Sequence, residues 1–165
     1  MPAGFKTLIR FVKAYHSHPQ RSLTLKLVAD IMTRDIFPLK ADQSLNVVRL
    51  LMRTVHVRHV PILDHQDKCI GLLSHRDLLA YSISKLADID PLEQREIERQ
   101  IPIRDVMRTE IETTSADTNL RLALEIMLEK KIGCLPVLDG ERKLIGIVTE
   151  ADVIRLALKL LEKFD

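Results

Sequence analysis

The chain is an internal duplication. Residues 28–78 and 103–153 align without a gap at a constant offset of 75 positions, so that Asp77 falls on Asp152, and about 14 of about 51 aligned residues are identical. The matches Asp30/Asp105, Met32/Met107, Asp42/Asp117, Leu45/Leu120, Met52/Met127, Pro61/Pro136, Asp64/Asp139, Gly71/Gly146 and Asp77/Asp152 fall on turns, apolar positions and a polar loop. Two copies of one structural unit must therefore solve one folding problem.

Each copy has the same order of elements. In the first, 36–39 is a short strand, and Asp42 to Ser44 offer capping oxygens to a helix whose apolar face is Leu45, Val48, Leu51, Met52 and Val55. The apolar runs 59–63 and 69–73 flank a polar turn at 64–67, the pattern of a hairpin, and a second helix opens at Ser74 or His75. The second copy reads as strand 111–114, helix 120–130, strand 134–138, a turn at Asp139-Gly140, strand 144–148 and a helix from Glu150 to about Lys163. The fold class is thus α+β, two β-α-β-β-α units. A unit of about 50 residues is marginal alone, so the two sheets are expected to pack with pseudo-twofold symmetry around a common core.

The chain divides into a partly helical extension over 1–27, the first repeat over 28–84, a linker helix over 85–102 and the second repeat over 103–165. In the linker, Asp90-Pro91 reads as an N-cap followed by proline at the first helical position, and Glu93, Arg95, Glu96, Glu98 and Arg99 read as a solvated face. In the extension, Phe5, Leu8, Ile9, Phe11, Val12 and Tyr15 alternate with Lys6, Arg10 and Lys13, a short amphipathic helix suited to docking on this chain or a second copy rather than on a membrane.

Several function classes recede on composition. At 165 residues, with 46% hydrophobic content and a formal charge of +2, the sequence describes a globular protein without a strong electrostatic partner. The first 29 residues hold five basic side chains and no acid, which predicts at most salt-sensitive contact with nucleic acid. Lys6, Arg10 and Lys13 interrupt any secretory apolar core, and no run approaches the ~18 apolar residues of a membrane span. Cys69 and Cys134 do not occupy matching positions, which argues against a disulfide and for a cytoplasmic setting. His56, His59, His65 and His75 show no metal-ligand spacing on one element, and no nucleophile–base pair is evident, so no metal and no enzyme are expected.

The chemistry-bearing element is the end of the hairpin, Gly71-Leu72-Leu73-Ser74-His75-Arg76-Asp77 and Gly146-Ile147-Val148-Thr149-Glu150-Ala151-Asp152. A strand delivers a hydroxyl to its end, where a helix begins with unpaired N–H groups and a positive dipole end, a setting that attracts phosphate. The aspartate three residues on can accept two hydrogen bonds from a ribose diol. The same spacing is also a capping box, and the repeat alone does not decide between the two.

In these motifs the chain resembles the tandem cystathionine-β-synthase (CBS) domain family, the Bateman module. The resemblance rests on Asp30-Ile-Met-Thr33 and Asp105-Val-Met-Arg108, on Arg58-His-Val-Pro-Ile-Leu-Asp64 and Gly133-Cys-Leu-Pro-Val-Leu-Asp139, and on the two closing motifs. It implies a non-catalytic regulatory module, commonly dimeric, that binds an adenosine nucleotide (AMP, ADP or ATP) between the repeats. By the same resemblance Ser74 and Thr149 lie near phosphate, Asp77 and Asp152 hold ribose, and Arg58 and Gly133 approach phosphate. Ile36 and Ile111 mark the base pocket. Arg58, His59, His75 and Arg76 then group around the first cleft, and Gly133, Glu150 and Ala151 around the second, which predicts tighter binding at the first motif. The expected partners are a nucleotide, a second copy and an unidentified regulated protein; the alternative is a ligand-free interaction module.

Overall fold

The computed structural model describes residues 25–86 and 90–162. The amphipathic segment expected at 5–15 and most of the extension lie outside the described residues. The first repeat contains β1 (Leu39–Lys40), α1 (Leu45–Val55), β2 (His59–Leu63), β3 (Cys69–Ser74) and α2 (His75–Leu86). Helix α3 (Pro91–Gln100) links it to α4 (Leu120–Lys130), β4 (Cys134–Leu138), β5 (Leu144–Thr149) and α5 (Glu150–Leu161). Among the described residues no helix is long and apolar enough to cross a membrane.

In each repeat an antiparallel hairpin pairs in the same register, His59↔Ser74 in one and Cys134↔Thr149 in the other. Each hairpin loop is organised by its aspartate. Asp64 Oδ1 accepts the Gln66 and Lys68 N–H groups, and Asp139 Oδ1 those of Glu141 and Lys143. The left-handed residues of these loops are Asp67 (φ 63°) and Arg142 (φ 64°).

The short first strands differ from expectation. Over 36–39 only Leu39 is extended and paired, running with Lys40 parallel to β2, and over 111–114 a single bridge joins Thr114 to Val137. Beyond that bridge Ser115 bonds within its own loop: its N–H donates to Thr118 Oγ1 and its hydroxyl to Asp117 at 2.5 Å. Such local side-chain bonds compete with a ladder.

The repeats exchange their opening segments. Val28 and Met32 sit in the core formed by Ala123, Met127, Leu135, Val137 and Val148, whereas Ile103, flanked by Val106 and Met107, sits with Leu45, Val48, Met52, Val60, Ile62, Leu73 and Leu78. Reciprocal backbone bonds fix the exchange: Thr33 with Ile147, both at 2.9 Å, and Arg108 with Leu72 at 2.9 and 3.0 Å. These pairs interconvert under the 75-residue offset, so the module has a pseudo-twofold axis. Burial is divided between two repeat cores and a smaller seam of Leu63, Cys69 and Leu138, rather than gathered in one common core.

Helix α3 begins as expected, with the Asp90 carboxylate accepting the Leu92 N–H at 2.7 Å. Its face is not wholly solvated. Glu98 is fully buried against α1, where Arg49 grips it through Nε at 2.8 Å and Nη2 at 2.5 Å and Gln94 donates at 3.0 Å. A carboxylate can be buried there because each oxygen finds a donor.

Candidate functional site

Both closing motifs fold as capping boxes. Ser74 ends β3, and Asp77 accepts its N–H at 3.0 Å and its hydroxyl at 2.5 Å; Thr149 ends β5, and Asp152 accepts the corresponding groups at 2.8 and 2.7 Å. Each carboxylate also receives a donor from the opening motif of the other repeat. For Asp77 it is Arg108, with Nε at 2.7 Å, and for Asp152 it is the Thr33 hydroxyl at 2.8 Å. Asp152 takes a further bond from Arg155 Nη1 at 2.6 Å. Burial acts to raise the Asp77 carboxyl, but the hydrogen bonds from Ser74 and Arg108 outweigh it and hold the group below the usual carboxylate range.

A cleft of about 570 Å³ opens at the seam beside the second of these boxes. One wall is apolar, with Ile36, Phe37, Val55 and Val57; the other carries Thr149, Glu150, Ala151, Ile154 and Arg155 from the start of α5. Arg58 and His59 arrive from the turn after α1, which His56 makes possible by closing the helix in the left-handed region (φ 56°). At the helix start the Glu150 N–H is spent on Gly133 O at 3.2 Å, and Ala151, whose N–H has no acceptor within the helix, faces the cleft. The Arg58 guanidinium has no hydrogen bond or ion pair among the described residues.

The imidazole of His59 occupies the centre of this arrangement. Gly133 makes room for it: a Cβ there would lie 3.0 Å from His59 Cε1 and Nε2. Burial pushes the imidazole pKa below its ordinary value, against Glu150 and Asp77, which favour the proton. Burial also pushes the Cys134 thiol up to about 12, so it is protonated at neutral pH.

The expected site residues therefore divide differently from the sequence grouping. Ile36, Arg58 and His59 of the first repeat meet Gly133, Thr149, Glu150 and Ala151 of the second around one cleft, with Asp152 directly behind. Ser74, His75, Arg76 and Asp77 do not line it, and Ile111 packs on the seam of Leu63, Cys69 and Leu138. Arg58 meets the first closing motif through its backbone, its carbonyl accepting the His75 N–H at 2.8 Å, and it also lines the cleft with the start of α5. Sequence reasoning missed Thr33, Asp35, Phe37 and Arg155, which also line the cleft. Arg155 was discoverable, since three residues beyond Asp152 on a helix is contact distance. Among the described residues no group of three or more His, Cys, Asp or Glu side chains is placed to hold a metal ion.

The CBS domain family model matches residues 28–84 and 103–159. Among solved structures, a Vibrio cholerae protein assigned to acetoin utilization (AcuB) is 35% identical with a TM-score of 0.69, covering 85% of this chain and 95% of that one. CBSX2, solved in complex with AMP, is 29% identical with a TM-score of 0.68 over 81% and 97% of the two chains. The inosine-5'-monophosphate dehydrogenase of Methanocaldococcus jannaschii is 24% identical over 131 residues, 79% of this chain but 23% of the enzyme. The chain thus spans about a quarter of that relative's length.

Proposed function

Since the chain belongs to the CBS domain family, we propose that it is a regulatory, non-catalytic module that binds an adenosine nucleotide (AMP, ADP or ATP) in the cleft between its repeats. The observation that carries this reading is the cleft itself. An apolar wall at Ile36, Phe37 and Val57 suits a purine, and the opposite wall offers the Thr149 hydroxyl, the N-terminal N–H groups of α5 and the Arg58 guanidinium to phosphate. The AMP complex of CBSX2 supports the ligand class. Asp152 stands behind Thr149 as the ribose acceptor, and Ser74, His75, Arg76 and Asp77, with Ile111, form the corresponding second site, closed by Arg108.

Regulation follows from the exchanged opening segments. A ligand between the 33–37 segment and α5 bears on the Thr33–Ile147 pairing, and so on how one repeat completes the other. It shifts the module only as far as it prefers one arrangement. The module acts in the cytoplasm, as a homodimer, on a partner protein whose activity it alters.

The second reading is a ligand-free interaction module, favoured by the capping boxes that already engage Asp77 and Asp152. Thermal denaturation with AMP, ADP and ATP separates the two, because a ligand of the native state raises the melting temperature by mass action. A rise that saturates with AMP supports the sensor, and no rise with any of the three leaves the scaffold.

A further inference from the structure

The carboxylate of Asp152 is saturated. Its Oδ2 accepts the Thr149 N–H and hydroxyl, and its Oδ1 accepts the Thr33 hydroxyl at 2.8 Å and Arg155 Nη1 at 2.6 Å. Together these fill the roughly four acceptor positions of a carboxylate. A sugar hydroxyl can reach Asp152 only by displacing a donor. Thr33 is pinned by its two backbone bonds to Ile147, and Thr149 is the N-cap of α5. Arg155 is the movable one, a long side chain 45% exposed and already on the cleft wall, whereas that of Asp152 is 4% exposed.

We infer that Arg155 is a specificity-determining gate that makes the cleft select phosphorylated nucleosides over neutral ones. This rests on the reading of the cleft as a nucleotide site. An uncharged nucleoside that engages Asp152 breaks the charge-assisted bond between Arg155 and that carboxylate and brings no anion in exchange. A nucleotide supplies a phosphate in the same cleft, where the released Arg155 joins Arg58. The exchange matters because Asp35 and Glu150 also line the cleft and oppose an anion. The gate is not a relic of the duplication: the residue 75 positions earlier is Ala80, and Asp77 is held instead by Arg108.

The test is calorimetric titration of the full chain with adenosine and with AMP, for the wild type, Arg155→Ala and Arg155→Lys, with unliganded melting temperatures as the check on folding. Arg155→Ala is expected to lower the preference for AMP over adenosine by about tenfold, chiefly by tightening adenosine, in line with the loss of one charge-assisted bond. Arg155→Lys, which retains the cation, is expected to keep most of that preference. An unchanged preference in Arg155→Ala, with AMP still bound by the wild type, removes the gate and leaves the nucleotide site standing. Absence of binding by the wild type to either ligand removes both.

Discussion

Arg108 holds Asp77 across the boundary between the repeats, its Nε and Nη2 lying 2.7 and 2.6 Å from one carboxylate oxygen, Oδ1. The pair joins the opening motif of one copy to the closing motif of the other, as Thr33 and Asp152 do in the opposite sense. Asp77 is 12% exposed and Arg108 64%, so the link is half wet, and Arg108→Ala is expected to cost about 1 kcal/mol of stability.

The same pair sets an acid limit. Because the Asp77 carboxyl titrates below its ordinary value of 3.8 in the folded chain, its contribution is whole above that pH and is lost as pH falls through the lower, folded value. Urea midpoints measured from pH 5 downward are expected to fall more steeply for the wild type than for Asp77→Asn. Parallel curves would show that the carboxylate contributes nothing.

His59 works in a higher window. Burial favours its neutral form, so the unfolded chain takes up a proton near 6.5 before the folded chain does. Stability is whole above that pH, declines as pH drops toward the folded pKa, and is level below it. His59→Gln is expected to lose this slope between wild-type neutral and mildly acidic conditions, read by chemical denaturation in matched buffers.

Glu98 is the costliest polar group to disturb. Removing it with Glu98→Ala takes away the carboxylate that two of the Arg49 guanidinium N–H groups engage, and a loss of about 3 kcal/mol is expected from an equilibrium urea curve. In a double-mutant cycle with Arg49→Ala the two losses should fail to add by more than about 1 kcal/mol. Additive losses would mean that α3 and α1 pack independently of the pair.

Gly71 and Gly146 occupy equivalent positions with unequal tolerance. A Cβ at Gly71 would meet Arg108 O at 2.8 Å as well as Met107 Sδ, whereas at Gly146 the nearest atom is the flexible Met32 Sδ at 2.8 Å and the carbonyl of Thr33 is 3.2 Å away. Gly71→Ala is therefore expected to cost about 1–3 kcal/mol and Gly146→Ala less. Equal melting temperatures for the two variants would contradict the ordering.

Arg58 tests the cleft directly. As a cation on its wall without a side-chain partner among the described residues, it is expected to contribute about tenfold to AMP affinity, lost in Arg58→Ala and read by calorimetry.

Much of this architecture is legible along the chain. Helices α1 and α4 and the strands β2 and β4 begin and end where the periodicity of apolar residues ends, because side-chain burial repeats every 3.6 or 2 residues within one element. The Ser74–Asp77 and Thr149–Asp152 boxes are equally local, being contacts between residues three apart. Glu98 escaped the same logic: in a polar helix nothing nearby marks one glutamate among several as the one that meets Arg49, 49 residues away.

What the sequence by itself determined is the duplicated unit and its axis, since a fixed offset of 75 residues constrains both copies to one fold. Which residues meet across that axis was decided only in three dimensions. The opening segments cross over, Arg58 lines one cleft with Glu150 while its carbonyl holds the His75 N–H, and Arg108 closes one carboxylate while Thr33 and Arg155 close the other. The physical reason is that hydrogen-bond spacing within an element is set by the backbone, whereas the meeting of two copies is set by how their apolar faces are buried, and no local pattern records that.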